Sequence, residues 1–250
     1  MAKKRVSLTL EEEMVEKVDS EAEKEDVNRS QMVEEMIQSY FRGRGIDTAL
    51  VFCGDPEAKT LDLYEGKPVL GHILDHLGSE GISRVILLVG QNREEIESQF
   101  GSDHDGMAIE YVEEEDPQGT AAALQKVQNK VRSTFAALNG HVITDVDLQE
   151  MTEVHREEDS IATMALTTVE SPARYGVARL KGRTILGFEE KPEPGDEPSR
   201  LINAGTYIFE PEIFSHLGHD SLEEVFADIS GRSELSGYIY GGEWTDVGEE

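Results

Sequence analysis

The amino-acid sequence predicts an α/β chain in two parts, a small βαα module over residues 1–44 and a larger mixed-sheet domain over residues 45–250. Three observations predict it. One short run of alternating polar and apolar residues precedes two stretches with helical periodicity. From residue 48 short apolar runs alternate with amphipathic ones, and beyond residue 160 the runs are mostly strand-like. Strands alternating with helices imply a largely parallel sheet covered on both faces, to which the strand-rich second half adds a hairpin-like insertion. With 250 residues and 38% hydrophobic content, the chain can build one sizeable core and an appendage.

In the first module, Arg5-Val6-Ser7-Leu8-Thr9-Leu10 alternates. As a strand it puts Val6, Leu8 and Leu10 on one face and Arg5, Ser7 and Thr9 on the other. Thr9 is expected to cap a helix beginning near Glu11, because Glu11, Glu12 and Glu13 suit the positive helix end. Met14, Val15, Val18 and Ala22 form its apolar stripe. Asn28 is expected to cap a second helix, in which Met32, Val33, Met36, Ile37, Tyr40 and Phe41 recur at helical spacing before Gly43 and Gly45 end it. A lone strand needs a partner, and 45 residues bury little surface, so a homodimer or higher even oligomer with paired strands is expected.

A tight linker at 43–47 leads into the second part. Its elements read as strand 48–53, helix 69–78, strand 84–89, helix 93–100, strand 108–112 and helix 121–132. Strands follow at 135–138, 161–169, 176–180, 185–189, 206–209 and 236–240. Residues 192–198 form a short acidic loop.

Charge narrows the function classes. Lys+Arg 23 against Asp+Glu 52 gives −29, which opposes general affinity for anionic membranes or nucleic acid. Residues 1–44 carry 8 basic and 11 acidic side chains (net −3), leaving 15 and 41 (net −26) elsewhere, and Lys3-Lys4-Arg5 is the one dense positive patch. Scarce lysine with abundant carboxylate is the composition of an acidic, halophile-like protein. The single Cys53 cannot form an internal disulfide and reads as a core residue at a strand end, which suits a reducing cytoplasm. No apolar h-region follows the basic N-terminus, and no run of eighteen apolar residues occurs, so a cytoplasmic protein without a membrane partner is expected. His72 and His76 lie one helical turn apart, but the surrounding Ile73, Leu74 and Leu77 mark an ordinary amphipathic helix. Glu113 to Asp116 reads as a solvated loop, and no Ser/His/Asp or Cys/His nucleophile arrangement stands out.

Residues 3–42 resemble the ribbon-helix-helix family of DNA-binding regulators. The resemblance implies that Arg5, Ser7 and Thr9 face the major groove from a paired ribbon, with Lys3 and Lys4 adding positive charge at its start. It also implies that Asn28, Arg29 and Ser30 hold a DNA phosphate through backbone N–H groups.

A second set of phrases appears in order: Gly66-Lys67-Pro68, Gly119-Thr120-Ala121, Asn139-Gly140, Tyr175-Gly176-Val177, Glu190-Lys191-Pro192, Asn203-Ala204-Gly205 and Trp244-Thr245-Asp246-Val247-Gly248. Together they resemble the sugar nucleotidyltransferase family, whose members join a nucleoside triphosphate to a sugar phosphate on a Rossmann-like, glycosyltransferase-A fold. That resemblance implies Gly119 and Thr120 near a nucleotide base, Tyr175, Gly176, Glu190, Asn203 and Gly205 at sugar hydroxyls, Lys191 at a phosphate, and Asp246 at the metal end of the site.

Two departures shape the functional expectation. Family members follow the first strand with a glycine-rich, cationic phosphate loop, whereas this chain has Gly54-Asp55-Pro56-Glu57-Ala58-Lys59, with one glycine and two acids. Where the family carries Asn-Gly-Asp with a magnesium-holding Asp, this chain has Asn139-Gly140-His141, and imidazole is a poor ligand for hard magnesium. The expectation is a dimeric transcriptional regulator with a DNA-binding head and a pseudoenzyme body that senses a sugar nucleotide or sugar phosphate. No catalytic residue, metal or cofactor is expected. The alternatives are an active sugar-phosphate nucleotidyltransferase, with magnesium held by Asp246 and Asp145 or Asp147, and a scaffold subunit of another such enzyme.

Overall fold

The computed structural model describes residues 7–25, 27–43, 45–54, 59–114, 119–218 and 221–249, and the chain divides into two compact units, Met1–Gly45 and Ile46–Glu250. In the first unit α1 (Glu12–Lys24) and α2 (Arg29–Gly43) pack through Val18, Ala22 and Met32. The α1 N-cap is Glu11 and not Thr9, and no side chain closes it; Glu12 and Glu13 in the first turn supply the charge that suits the helix end. Helix α2 starts as expected. Asn28 Oδ1 accepts from the Gln31 amide at 3.1 Å and Gln31 Oε1 accepts from the Asn28 amide at 3.1 Å, a reciprocal capping box. Residues 7–10 form no strand within one chain, because a ladder requires a second edge; Leu8 is 59% and Leu10 40% exposed. Arg5 and Val6, the rest of that expected strand, lie outside the described residues.

The second unit opens with β1 (Thr48–Cys53), the small hairpin β2 (Leu63–Tyr64) and β3 (Lys67–Pro68), then α3 (Val69–Ser79), β4 (Arg84–Val89), α4 (Arg93–Phe100), β5 (Asp103–His104) and β6 (Met107–Glu113). Helix α5 (Thr120–Gln125), β7 (Phe135–Asn139), β8 (Val142–Thr144) and α6 (Leu148–Glu158) follow. The second half comprises β9 (Ala162–Thr168), β10 (Gly176–Lys181), β11 (Thr184–Glu190), β12 (Leu201–Phe209), α7 (Leu222–Ser230), β13 (Leu235–Ile239) and β14 (Trp244–Asp246). Ten strands join in the order β10-β11-β13-β9-β12-β7-β1-β4-β6-β5. The run β7-β1-β4-β6 is parallel, while β12 pairs antiparallel with both β7 and β9, so the sheet is mixed and β10–β11 is the expected hairpin.

Every residue of β1 is buried, and alternation splits them between two cores. Ala49, Val51 and Cys53 join the layer with α3 and α6, while Leu50 and Phe52 join the layer with α5 and α7. The helix expected over 121–132 stops at Gln125. Beyond it Lys126, Val127 and Gln128 each donate to the carbonyl three residues back (3.1, 3.1 and 3.3 Å), and these tighter turns still bury both Val127 and Val131. Among the described residues no helix is long and apolar enough to cross a membrane.

A buried polar network ties α6 to the sheet. His155, 1% exposed, contacts Thr163 Oγ1 through Nδ1 at 2.8 Å and Glu210 Oε1 through Nε2 at 3.3 Å, and Glu210 also accepts from Thr134 Oγ1 at 2.8 Å. The His155 bond, then Thr134, holds the Glu210 carboxyl below its ordinary value of 4.5 against the cost of burial. A depressed carboxylate stabilises the fold above its unfolded pKa, and that contribution is lost as pH falls through the folded one. Glu210→Gln is therefore expected to cost about 1 kcal/mol at pH 7, reduced by partial solvent screening, and progressively less below pH 4.5. Urea unfolding of both proteins at neutral and acid pH checks this.

Candidate ligand site and its relatives

Parallel strands leave a crevice beyond their carboxyl ends, where backbone and loop groups stay unpaired and a ligand can bind. Here that crevice is a cavity of about 510 Å³. Phe52 near the end of β1 and Gly54 just after it, Glu114 after β6, Asn139 at the end of β7 and His141 just beyond it contribute to the lining. Gly119 and Thr120 come from the start of α5, Tyr175 and Gly176 from the start of β10, and Glu190 and Lys191 from the end of β11. Asn203 and Gly205 belong to β12, and Asp246 ends β14. All nine residues expected at a ligand from the order of the sequence phrases thus line one cavity. Arg174, Glu223 and Trp244 complete the part that matters chemically; of these, only Trp244 stood inside a phrase quoted from the sequence.

The local structure explains why those phrases have their residue types. In β12 the pairing with β9 skips between Asn203 and Tyr207, and the Gly205 amide donates to Asn203 Oδ1 at 3.0 Å, closing a bulge. The bulge frees the Ala204 carbonyl to accept from Trp244 Nε1 at 3.2 Å, while Asn203 Nδ2 donates to the buried Tyr207 hydroxyl at 2.7 Å. Trp244 then meets Tyr175 edge-on, with ring centroids 5.4 Å apart. At Gly176 an added Cβ would fall inside contact with the Phe188 ring and 2.7 Å from Glu190 Oε2, so glycine is what lets β11 present Glu190 to the cavity. Lys191 follows with φ 45 and donates its amide to the Tyr175 carbonyl at 3.1 Å, a left-handed residue held by its neighbours at the rim.

Electrostatically the lining is mostly acidic, with Glu114, Glu190, Glu223 and Asp246 against Arg174 and Lys191. Burial raises the Glu114 carboxyl, with Lys126 opposing. Burial first, then Glu114, pushes the Cys53 thiol far up, so Cys53 is a protonated core residue and not a nucleophile.

Comparison with known proteins settles the family. Residues 56–250 match the family described as nucleotidyl transferase, and residues 4–42 match the ribbon-helix-helix protein, copG family. The chain belongs to the nucleotidyl transferase family. It is 34% identical over 192 residues to a mannose-1-phosphate guanylyltransferase of Mycobacterium tuberculosis, covering 73% of this chain and 53% of that protein. It is also 34% identical over 187 residues to a D-glycero-alpha-D-manno-heptose 1-phosphate guanylyltransferase of Aneurinibacillus thermoaerophilus, covering 73% of this chain and 79% of that one. The chain spans about half the length of most of the curated relatives it matches. Among solved structures, HddC from Yersinia pseudotuberculosis complexed with GMP-PN aligns with TM-score 0.68 and 21% identity over 81% of this chain and 94% of that one, a likeness of fold.

In this nucleotidyl transferase domain His141 and Asp246, the two positions the resemblance sets at a metal end, lie beside one another. Strand β14 pairs antiparallel with β8, setting Asp246 opposite Val142, and Val247 donates its amide to the His141 carbonyl at 3.0 Å. Both side chains flank Gly248, whose amide donates to Asp246 Oδ1 at 2.9 Å. The alternative ligands Asp145 and Asp147 are not among the residues that line this cavity. Asp145 packs against Gly242, and Asp147 caps α6 by accepting from the Glu150 amide at 2.8 Å. Among the described residues no group of three His, Cys, Asp or Glu side chains could hold a metal ion, and two ligands with one imidazole fit magnesium poorly. Asp55, Pro56, Glu57 and Ala58 of the expected phosphate loop lie outside the described residues.

In the ribbon-helix-helix domain, Lys3, Lys4 and Arg5 also lie outside the described residues, while Ser7, Thr9, Asn28, Arg29 and Ser30 are exposed. Two of them also have structural work, Asn28 the capping expected from the sequence and Arg29 an ion pair that the sequence did not reveal. The Asn28 side chain closes the capping box, and the Arg29 guanidinium makes a two-point pair with Asp19 of α1, both bonds 2.6 Å.

Proposed function

We propose that the protein is a homodimeric DNA-binding transcriptional regulator of the cytoplasm, whose nucleotidyl transferase domain binds a sugar nucleotide or sugar phosphate with little or no turnover. The observation that carries this reading is the asymmetry of the cavity. Its sugar side keeps Glu190 and Asn203 to read hydroxyls and Lys191 with Arg174 to meet phosphate, while its metal end sets an imidazole beside a single carboxylate. The exposed Leu8 and Leu10 of the ribbon suit a second copy, since pairing two ribbons buries them. A bound ligand changes DNA affinity only through differential binding to two arrangements of the dimer.

The test is calorimetry of the full chain against a panel of sugar nucleotides and sugar 1-phosphates, with and without magnesium, beside a pyrophosphate-release assay. Because the relatives above are named guanylyltransferases, GDP-mannose and mannose 1-phosphate lead the panel. Binding without pyrophosphate chemistry supports the sensor, and indifference to every ligand ends it. The names of those relatives also favour a second reading, an active sugar-phosphate nucleotidyltransferase using magnesium, which sustained pyrophosphate release would establish. On the DNA side, Arg5→Ala is expected to weaken specific operator binding by about 2 kcal/mol. Lys3→Ala or Lys4→Ala is expected to weaken all DNA binding and flatten its salt dependence by about one unit of slope each. Gel-shift titrations across a salt series read both.

A further inference from the structure

Glu223 belongs to none of the phrases that pointed to the cavity, yet it lines that cavity together with Glu190. Its placement is built rather than incidental. It lies in the first turn of α7, and that turn is tied down twice: Ser221 Oγ accepts from the Glu224 amide at 3.3 Å, and Thr120 Oγ1 accepts from the Leu222 amide at 3.1 Å. The second bond is long-range. It fastens the start of α7 to the start of α5, the side of the cavity where a nucleotide base is expected. Opposite, Gly176 admits Glu190 at close range. Among the described residues, neither the Glu190 nor the Glu223 carboxylate has a hydrogen bond or ion pair to protein, so their acceptors are open to the cavity. The helix N-terminus favours a negative charge at Glu223, which explains why the charge is tolerated but not why it faces the cavity.

Resting on the reading of this cavity as a sugar site, we propose that Glu223 is a second sugar-reading carboxylate. It accepts hydroxyl protons of a hexose across from Glu190, and Thr120 is the positioning residue that holds it there. Two carboxylates offer acceptors for neighbouring hydroxyls on two sides of the ring, and a site built that way rejects a sugar lacking one of them. The pair also interacts through space. Loss of hydration and then Glu223 raise the Glu190 carboxyl, with Lys191 opposing, and the Tyr207 hydroxyl beneath is raised by burial and then by Glu223.

The experiment uses the full chain and its single tryptophan, Trp244, whose position on the cavity wall makes intrinsic fluorescence a binding signal. GDP-mannose, mannose 1-phosphate and sugar-free GDP are titrated into wild type, Glu223→Gln, Glu223→Asp, Thr120→Ser and Thr120→Val, with thermal unfolding run on each. Glu223→Gln is expected to weaken both sugar ligands about tenfold and leave GDP unchanged. Because it removes a like charge, it also moves the acid limb of GDP-mannose affinity to lower pH, while the selective loss of sugar ligands over GDP is what a merely structural role would not produce. Thr120→Ser keeps the wild-type preference for sugar ligands over GDP and Thr120→Val reduces it. Wild-type binding of GDP-mannose with no change in Glu223→Gln, or an equal loss of GDP, overturns the proposal alone. Failure of the wild type to bind any of the sugar ligands refutes the sugar-site reading and this proposal with it.

Discussion

Gly140→Ala is expected to cost about 3 kcal/mol of stability and to abolish the ligand response of Trp244. A Cβ at this position would press into the Phe52 carbonyl oxygen and come within 3.2 Å of Cys53 Sγ. The obstacle is backbone rather than a side-chain tip. The Gly140 amide donates to that same Phe52 oxygen at 2.9 Å, and β1 and β7 are zipped together up to Phe52 and Asn139. Relief requires prising apart two central parallel strands exactly where the cavity begins, and His141 would move with them. Gly78→Ala is the control: nothing lies within 4 Å of its added Cβ, and it sits in helix α3, so a gain of roughly 0.5 kcal/mol is expected there. Chemical unfolding together with a GDP-mannose fluorescence titration compares the two.

His141→Asp is expected to make ligand binding respond to magnesium, tightening GDP-mannose about tenfold where the wild type changes little. His141 and Asp246 flank the same glycine, so the substitution would set two hard oxygen donors side by side at the metal end. His141 and Asp246 both line the cavity, whereas Asp145 and Asp147 do not. Calorimetry with and without magnesium reads the effect, and pyrophosphate release from GTP with mannose 1-phosphate shows whether any turnover accompanies it. A wild type that already depends strongly on magnesium would defeat the account of the metal end given above.

Much of the fold was legible because it rests on local pattern. The short continuous apolar runs of β1 and β4, the helical stripes of α3 and α4, and Asn28 with Gln31 at capping-box spacing each carry their signal within a few residues. Short elements that owe their existence to a distant partner were harder to read. Strand β14 is formed by pairing with β8, and α5 gives way after Gln125 to tight turns that bury Val127 and Val131. Thr9 could not be ruled out as a cap from spacing alone, since Glu11 occupies the N-cap through backbone geometry.

The candidate site divides along the same line. The nine residues that line the cavity as expected came from the family resemblance, carried by phrases some of which the local structure explains: the Gly205 amide bonded to Asn203, the glycine that admits Glu190, the left-handed Lys191. Glu223 was not, since Ser221-Leu222-Glu223-Glu224 has the spelling of any capped helix. By itself the sequence determined the two-part organisation, the acidic charge and the residue types available to read a sugar. Only the tertiary structure decided that Thr120 bonds a helix 102 positions away, that Asp145 and Asp147 stand outside the cavity lining, and that Glu190 and Glu223 share one cavity. The reason is physical: periodicity and capping act over one or two turns of chain, whereas the convergence of charges depends on sheet order and register, which bring together residues far apart in sequence.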